Sequence, residues 1–187
     1  FGVGRTIVRQ ALRILAQDGI VTLERNRGAF VAEPSVREAR EVFEARALLE
    51  PATARAAADR IGPADIATLE AHIAAEHAAL AEDRMGHALK LSGQFHVEIA
   101  RIADQTTIEA FVRQLISRSS LVIAVYWRRR NALCESHAHH ALMEALRAGD
   151  GAEAEELMKG HLVDLLSQLD LRDQPARPQS LRDALAG

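Results

Sequence analysis

The sequence contains one cysteine, few aromatic residues and no long apolar run. Cys134 alone cannot form a disulfide framework, so a reducing, cytoplasmic compartment is expected. Aromatic residues make up 4% of the chain, whereas alanine, leucine, arginine and glutamate abound, which favours helices over strands. The longest apolar run, 121–127, is far shorter than the ~20 residues of a membrane span. We therefore expect neither a disulfide-stabilised fold nor a membrane partner.

Positive charge is concentrated at the start of the chain. Residues 1–32 carry five arginines and two acidic residues, for a net charge of +3. The remaining residues carry 18 basic and 24 acidic side chains, for a net charge of −6. A basic segment joined to an acidic one indicates that the first part contacts a polyanion and the second does not. Chance clustering on a solvated helix is the alternative.

The basic segment is predicted to begin with a helix over residues 5–17. Apolar side chains recur there at helical spacing, and the opposite face carries Arg5, Arg9 and Arg13. Gly4 can begin this helix, and Gly19 can end it in a left-handed conformation. An ordinary solvated face would also account for the arginine stripe.

A basic β-hairpin is predicted after this helix, and it makes that alternative less favoured. Apolar runs at 20–23 and 29–31 flank a turn at 25–28 that contains two cations. A helix of this kind followed by a basic hairpin forms the second half of a winged helix-turn-helix. Its helix enters a major groove, and its hairpin lies over the backbone or the minor groove. Because the chain begins at Phe1, inside this pattern, residues 1–33 are expected to be a remnant of that domain.

Residues 34–171 are predicted to form an antiparallel, all-helical bundle. Pro34 marks the linker, and Pro51 is expected to kink the first helix of the bundle. The tail, 172–187, contains two further prolines. The fold class is mainly α. Breaks at glycine, proline and Asx residues give these predicted helices: 35–60, 64–81, 84–103, 106–129, 133–148 and 151–170.

Three of the eight histidines are predicted to face the bundle interior. His139 and His161 each have apolar residues three and four positions away, and His96 has Ser92 one turn before it. His139 and His161 lie 11 residues before and after Asp150, at the centre of a helical hairpin. Both should therefore lie ~16 Å from the turn, at one level. The other histidines are predicted on outer faces: His72, His77, His87, His137 and His140.

Three inward imidazoles suit a divalent metal with an open coordination position, such as zinc or nickel. For any one of them, a hydrogen-bonded core histidine is the alternative. Such a metal can also activate water, so a metal-dependent hydrolytic enzyme stays open as a function. A metal-binding helical interaction module without a DNA role is a further alternative. No His-Glu-x-x-His motif occurs, and no histidine has a glutamate three residues before it. We therefore predict that the protein is not an enzyme.

Arg46 is predicted to lie on the apolar side of its helix, with apolar residues three and four positions away. A buried guanidinium requires an anion, and Glu44 or Glu50 could provide one within the chain. Arg118, beside apolar residues of its own helix, is a second candidate of this kind.

Residues 4–12, 18–21 and 26–31 resemble the recognition helix and wing of the GntR family of bacterial transcription regulators. In its FadR-like branch the helix opens with a hydroxyl residue followed by Arg and Thr, with a second Arg four residues after the first. Arg5, Thr6 and Arg9 match this pattern, whereas Gly4 replaces the hydroxyl residue.

The resemblance implies that Arg5 and Arg9 reach bases or phosphates of operator DNA and that Thr6 supports them. Arginine suits both guanine edges and phosphates, so which arginine reads a base stays open. Arg13 is expected to contact phosphate or solvent. In the wing, Arg27 is a further cation, and Gly28 lets the hairpin approach the DNA backbone.

Residues 43–51, 91–96, 139–146 and 158–162 resemble the FCD domain, the all-helical effector-binding domain of FadR-like regulators. Many members of this group hold a divalent metal with an Asp and three His. The His positions match His96, His139 and His161, and the Asp position is Ser92. A serine hydroxyl is a poor ligand, so metal affinity falls or the effector supplies the missing oxygen. A site that binds only an organic molecule is the alternative.

Taken together, the resemblances imply a dimeric, ligand-responsive transcriptional regulator, and we expect a repressor. Each protomer would bind one half-site of a short palindrome. A small organic acid would enter the bundle and contact the metal and Arg46, with Arg118 as a second effector contact. Operator affinity would change through the relative placement of the two DNA-binding heads.

Overall fold

The structure, a computed structural model, describes residues 2–127 and 134–172. The predicted tail from residue 173 onward and the predicted helix boundaries at 129 and 133 lie outside this range. Within it the chain is mainly α, as predicted, and none of its helices is long and apolar enough to cross a membrane. The elements are α1 (Arg5–Gln17), β1 (Val21–Glu24), β2 (Gly28–Val31), α2 (Val36–Ala58), α3 (Pro63–Ala81), α4 (Met85–Ile102), α5 (Thr106–Tyr126), α6 (Cys134–Arg147) and α7 (Gly151–Ser167).

The first unit, which we call the head (residues 2–33), is the predicted helix and hairpin. Strands β1 and β2 pair antiparallel, with Val21 opposite Val31 and Glu24 opposite Gly28. Gly19 ends α1 with φ +77°, and Gly28 begins β2 with φ +108°. Both are backbone conformations in which a residue with a side chain would be strained. No residue of α1 is buried, so both its arginine stripe and its apolar side chains are accessible.

The second unit, which we call the bundle, is built from α2 to α7. Ser35 caps α2 by accepting a hydrogen bond from the backbone N–H of Glu38 (3.1 Å), and Pro51 lies inside this helix. Helix α2 packs against α7, α5 and α4, while α3 packs against α4 and α6 against α7. The core contains fully buried side chains from several helices, including Phe43, Phe95 and Leu142.

The bundle places polar residues inside this apolar core. In the described part of the chain the buried polar and charged side chains are Arg46, Glu50, Thr53, Glu76, Ser92, His96, Ser119, His139 and His161. Burying polar groups is costly unless they contact one another or a ligand. Their contacts therefore indicate where function resides.

Candidate functional site: a buried histidine cluster

The three predicted histidines converge inside the bundle. His96 lies on α4, His139 on α6 and His161 on α7, and each side chain is at most 5% exposed. Their ring centroids lie 5.0 to 5.3 Å apart, and one ring nitrogen from each lies within 4.8 Å of the others. His139 and His161 meet at one level of the α6–α7 hairpin, as the count from Asp150 predicted. The other five histidines are exposed or only partly buried.

Two buried carboxylates approach the outer nitrogens of this cluster. Oε2 of Glu76 lies 3.0 Å from Nδ1 of His139 and can accept its hydrogen. Oε2 of Glu50 lies 2.8 Å from Nδ1 of His96, although the pair is not aligned as a hydrogen bond. A carboxylate beside Nδ1 holds an imidazole with its Nε2 free, which is the usual support of a metal-binding histidine.

One pair of inner nitrogens has the spacing of two ligands on one metal ion. Nε2 of His96 and Nε2 of His161 lie 3.3 Å apart. Two nitrogens at ~2.0 Å from one tetrahedral zinc would lie about 3.3 Å apart. Nε2 of His139 is buried and has no hydrogen-bond partner among the described residues. The donor set therefore fits a divalent ion such as zinc or nickel.

The anion that pairs with Arg46 is Glu50 of the same chain. Its Nε donates to Oε1 of Glu50 at 2.6 Å, its Nη2 donates to Oε2 at 3.1 Å, and its Nη1 donates to Oγ of Ser119 at 3.1 Å. Glu44, the other internal candidate, is exposed. The charge of Arg46 is thus balanced without an effector, although its side chain still borders the cavity beside the cluster.

Burial and charge set the protonation of the cluster. Burial alone would raise the pKa of Glu50, but Arg46 and His96 outweigh it and lower this pKa to about 2. Burial lowers the pKa of His96 to about 4, against the raising effect of Glu50. Burial, reinforced by His96 and His139, also lowers the pKa of His161 well below its usual value. At neutral pH these two imidazoles are uncharged, the form that binds metals.

A small cavity opens beside His96, between α4 and α5. It holds roughly one water molecule, and its polar lining comes from Arg46, Ser92, His96, Ser119 and Ser120. Ser119 is occupied, since its hydroxyl accepts from Arg46 and donates to the carbonyl of Ile116. Ser92 and Ser120 have hydroxyls without a hydrogen bond among the described residues, so both can receive a ligand.

Arg118 lies outside this cavity. Its side chain is exposed, does not line the cavity, and lies against Gly19 of the head, where an added Cβ would be 3.1 Å from its Nε. The inward positions of α5 are occupied by its neighbours, including the buried Ser119 and Val122. The predicted effector contact at Arg118 therefore has no support from this placement.

Glu76 is a site residue that the motifs of the sequence do not single out. It is 1% exposed and lies on α3, three residues from Ile73 and three from Ala79, both of which are buried. A glutamate at helical spacing between two core residues was the available signal.

The head displays the predicted DNA-binding residues. Arg5, Thr6, Arg9 and Arg13 are all exposed on α1. In the hairpin, Arg27 forms an ion pair with Glu24 and lies over the ring of Phe30, with its guanidinium carbon 5.4 Å from the ring centroid. The wing cation is thus solvent-accessible and neutralised only by a surface partner.

Comparison with known proteins agrees with both units. The family described as bacterial regulatory proteins of the gntR family matches residues 1–31, and the FCD domain matches residues 41–164. The Nta operon transcriptional regulator of Aminobacter aminovorans is 28% identical over 152 residues, which cover 81% of this chain and 72% of that protein. The transcriptional repressor RspR of Escherichia coli K12 is 27% identical over 169 residues, covering 88% and 73%.

Solved structures show the same architecture. A GntR transcriptional regulator from Rhodococcus sp. RHA1 superimposes with a TM-score of 0.74 at 25% identity, covering 89% of this chain and 80% of that one. The E. coli protein McbR/YncC shares the fold, with a TM-score of 0.72 at 21% identity, covering 89% and 87%. The family and the relatives are transcriptional regulators and not enzymes, as predicted. The chain belongs to the GntR family of bacterial transcriptional regulators and carries an FCD domain as its effector-binding domain.

Proposed function

We propose that the bundle, residues 34–171, senses a small organic acid through a divalent metal held by His96, His139 and His161. The head, residues 1–33 of this chain, then binds operator DNA with altered affinity. The observation that carries this proposal is the meeting of three buried imidazoles, with one ring nitrogen of each within 4.8 Å of the others, beside a cavity with free hydroxyls. The protein would act in the cytoplasm, where its DNA is.

Each residue of the site has a defined role in this proposal. A divalent metal held by His96, His139 and His161 would supply a fixed positive charge that attracts a carboxylate. Glu76 orients His139, and Glu50 together with Arg46 fixes the surroundings of His96. Ser92, at the position where relatives of the same branch are expected to carry an Asp ligand, leaves that place to the effector.

The exposed arginines would provide the DNA contacts. Arg5, Arg9 and Arg13 present one charged face of α1 to a major groove, with Thr6 beside them. Arg27 would exchange Glu24 for a phosphate, and Gly28 would allow the hairpin to lie close to the backbone. A homodimer would place two such heads on the halves of a palindrome. Two of the similar proteins are named repressors, which supports repression as the output.

Helix α5 is the element that would couple the cavity to the head. Four of its residues line the cavity: Ile116, Ser119, Ser120 and Ile123. The same helix contacts the head through Arg118, which lies against Gly19. Its last residue, Tyr126, donates a hydrogen bond from its hydroxyl to the carbonyl of Pro34 in the linker (2.7 Å). A ligand that displaces α5 would therefore move both anchor points of the head.

Metal analysis and operator binding by the complete regulator, head included, test this function. We expect zinc or nickel to bind in a one-to-one ratio, and a carboxylate library to contain members that raise the thermal midpoint only of the metal-loaded protein. The same acids should change operator affinity measured by fluorescence anisotropy. His139→Ala should lose the metal and the response, whereas the exposed His87→Ala should keep both. An acid that binds the loaded bundle without changing operator affinity would contradict the proposed coupling.

A further inference from the structure

We infer that the metal-loaded site selects a ligand with a single negative charge, a monocarboxylate held beside His96 by the hydroxyls of Ser92 and Ser120. This inference rests on the proposed function and specifies the class of acid that the bundle recognises. It follows from the sum of buried charges, from the free donors in the cavity and from its size.

The buried charges do not cancel. Within the described part of the chain, three formally charged side chains other than histidine are buried: Arg46, Glu50 and Glu76. One cation and two anions leave a net charge of −1. Imidazoles that bind through Nε2 and keep their hydrogen on Nδ1 add nothing. The metal-free site is thus one unit negative, which favours a cation, and a divalent ion makes it one unit positive.

A residual charge inside a bundle is costly because the low-polarity interior solvates it poorly. One monoanion brings the loaded site to zero. A neutral ligand leaves the charge of +1 unchanged. A ligand with two carboxylates changes it to −1, and its second carboxylate also needs hydrogen-bond donors. Among organic acids of equal size, the site therefore discriminates by charge.

The hydroxyl donors of the lining match one carboxylate. Arg46 already uses three of its five N–H donors, two on Glu50 and one on Ser119, and the single hydroxyl hydrogen of Ser119 is donated to the carbonyl of Ile116. The hydroxyls of Ser92 and Ser120 are the available donors on the α4 and α5 sides of the cavity. Because the cavity holds roughly one water molecule, only a small ligand enters, and it must move α5 to do so.

Ser92 is the residue that sets this preference. It is 6% exposed, lies one turn before His96 on the same face of α4 and borders the cavity. An aspartate at this position would place a permanent negative charge where the ligand's charge is expected. Ser92→Asp should therefore convert a site that requires an anion into one that is neutral without it. Ser92→Asn has the same size without the charge and is the matched control.

The experiment compares acids with equal carbon skeletons on the full chain loaded with zinc or nickel. Butyrate is paired with succinate, and 2-hydroxybutyrate with malate, by calorimetry and thermal shift. We expect the monocarboxylate of each pair to bind at least about tenfold more tightly, and only to the loaded protein. Ser92→Asp should bind the metal about tenfold or more tightly than wild type and lose the response to monocarboxylates. Ser92→Asn, which loses the hydroxyl but adds no charge, should bind the monocarboxylate more weakly than wild type and still prefer it to the dicarboxylate.

The outcomes separate this inference from the function on which it rests. Tighter binding of the dicarboxylates, or a Ser92→Asp variant that still prefers monocarboxylates, would overturn the charge inference and leave the sensor intact. Failure of both classes of acid to bind the metal-loaded chain would overturn the acid-sensing function itself. A chain that binds no divalent metal would overturn both.

Discussion

Glu76 and His139, 63 residues apart in the sequence, are joined in the core by a contact of 3.0 Å between a carboxylate oxygen and Nδ1. Neither residue is more than 1% exposed. This contact places the hydrogen of His139 on Nδ1 and leaves Nε2, which is buried without a hydrogen-bond partner among the described residues, available to a metal.

Glu76→Gln is expected to weaken metal binding by about 10- to 100-fold, because the amide supports the Nδ1 hydrogen less strongly than a carboxylate does. Competition with a chromogenic chelator measures the affinity. Glu70→Gln, on the same helix but exposed, is the control and should leave the affinity unchanged. Equal affinities for Glu76→Gln and wild type would show that the carboxylate does not support the site.

Two ion pairs on α2 should differ greatly in their effect on stability. Arg46 and Glu50 are paired with both partners 2% exposed, whereas Arg37 and Glu41 have the same four-residue spacing at the surface. Arg46→Met leaves Glu50 buried without its cationic partner, and it should lower the free energy of unfolding by about 3–5 kcal/mol. Arg37→Met should cost about 0.5 kcal/mol or less. Urea titration of the metal-free proteins measures both changes, and similar costs would be inconsistent with a buried pair.

Acid should destabilise the metal-free protein in two steps. The pKa of His96 is about 4 in the fold and 6.5 in an unfolded peptide, so the unfolded chain binds more protons between these values and stability falls as the pH drops. The shift corresponds to about 3 kcal/mol. Glu50, with a folded pKa of about 2 against 4.5, adds a further loss below pH 4.5.

Urea unfolding at pH 7, 6 and 5 tests the first of these steps. The free energy of unfolding should decrease steadily across this interval, and the decrease should be smaller for His96→Asn. His87→Asn, an exposed change, should follow the wild-type curve. A stability that is flat from pH 7 to 5 would mean that His96 is not held neutral by burial.

Arg9→Ala should weaken operator binding by the complete regulator by about tenfold or more, the usual cost of losing one base or phosphate contact. The salt dependence of operator binding then shows whether Arg9 contacts a phosphate or a base. Loss of a phosphate contact lowers the slope of log affinity against log salt by about one, whereas loss of a base contact relaxes sequence preference. Arg113→Ala, on the exposed face of α5 in the bundle, should change neither quantity.

Tyr126→Phe removes the hydrogen bond to the linker carbonyl of Pro34 while keeping the ring. We expect unchanged effector affinity and a smaller effect of effector on operator binding, since one of the two contacts from α5 to the head and its linker is lost. Arg118→Ala tests the other contact, against Gly19. Full coupling in the double variant would show that α5 does not carry the signal.

The sequence predicted the helices and the histidine cluster for a definite physical reason. Helical periodicity determines which face of a helix is buried. Because His139 and His161 are equally far from Asp150, they lie at one level of the hairpin however the other helices pack. Local spacing also identified Glu50 as a candidate partner of Arg46, four residues away. These inferences needed only a single helix or a hairpin.

Contacts between distant helices could not be predicted in this way. The pairing of Glu76 with His139 depends on how α3 packs against α6, which no spacing within one helix reveals. Arg118 has apolar neighbours on its own helix. It nevertheless lies at the edge of the buried stripe, in contact with the head rather than with the core. Its environment is set by the placement of the head.

The histidine cluster joins positions that are far apart along the chain. His96 and His139 are separated by 43 residues, and His139 and His161 by 22. An ion bound to all three would act as a reversible cross-link that closes two long loops, the geometry in which a tether most restricts an unfolded chain. Chelation would then loosen α4, α6 and α7 together, so metal supply would govern the lifetime of the protein as well as its response.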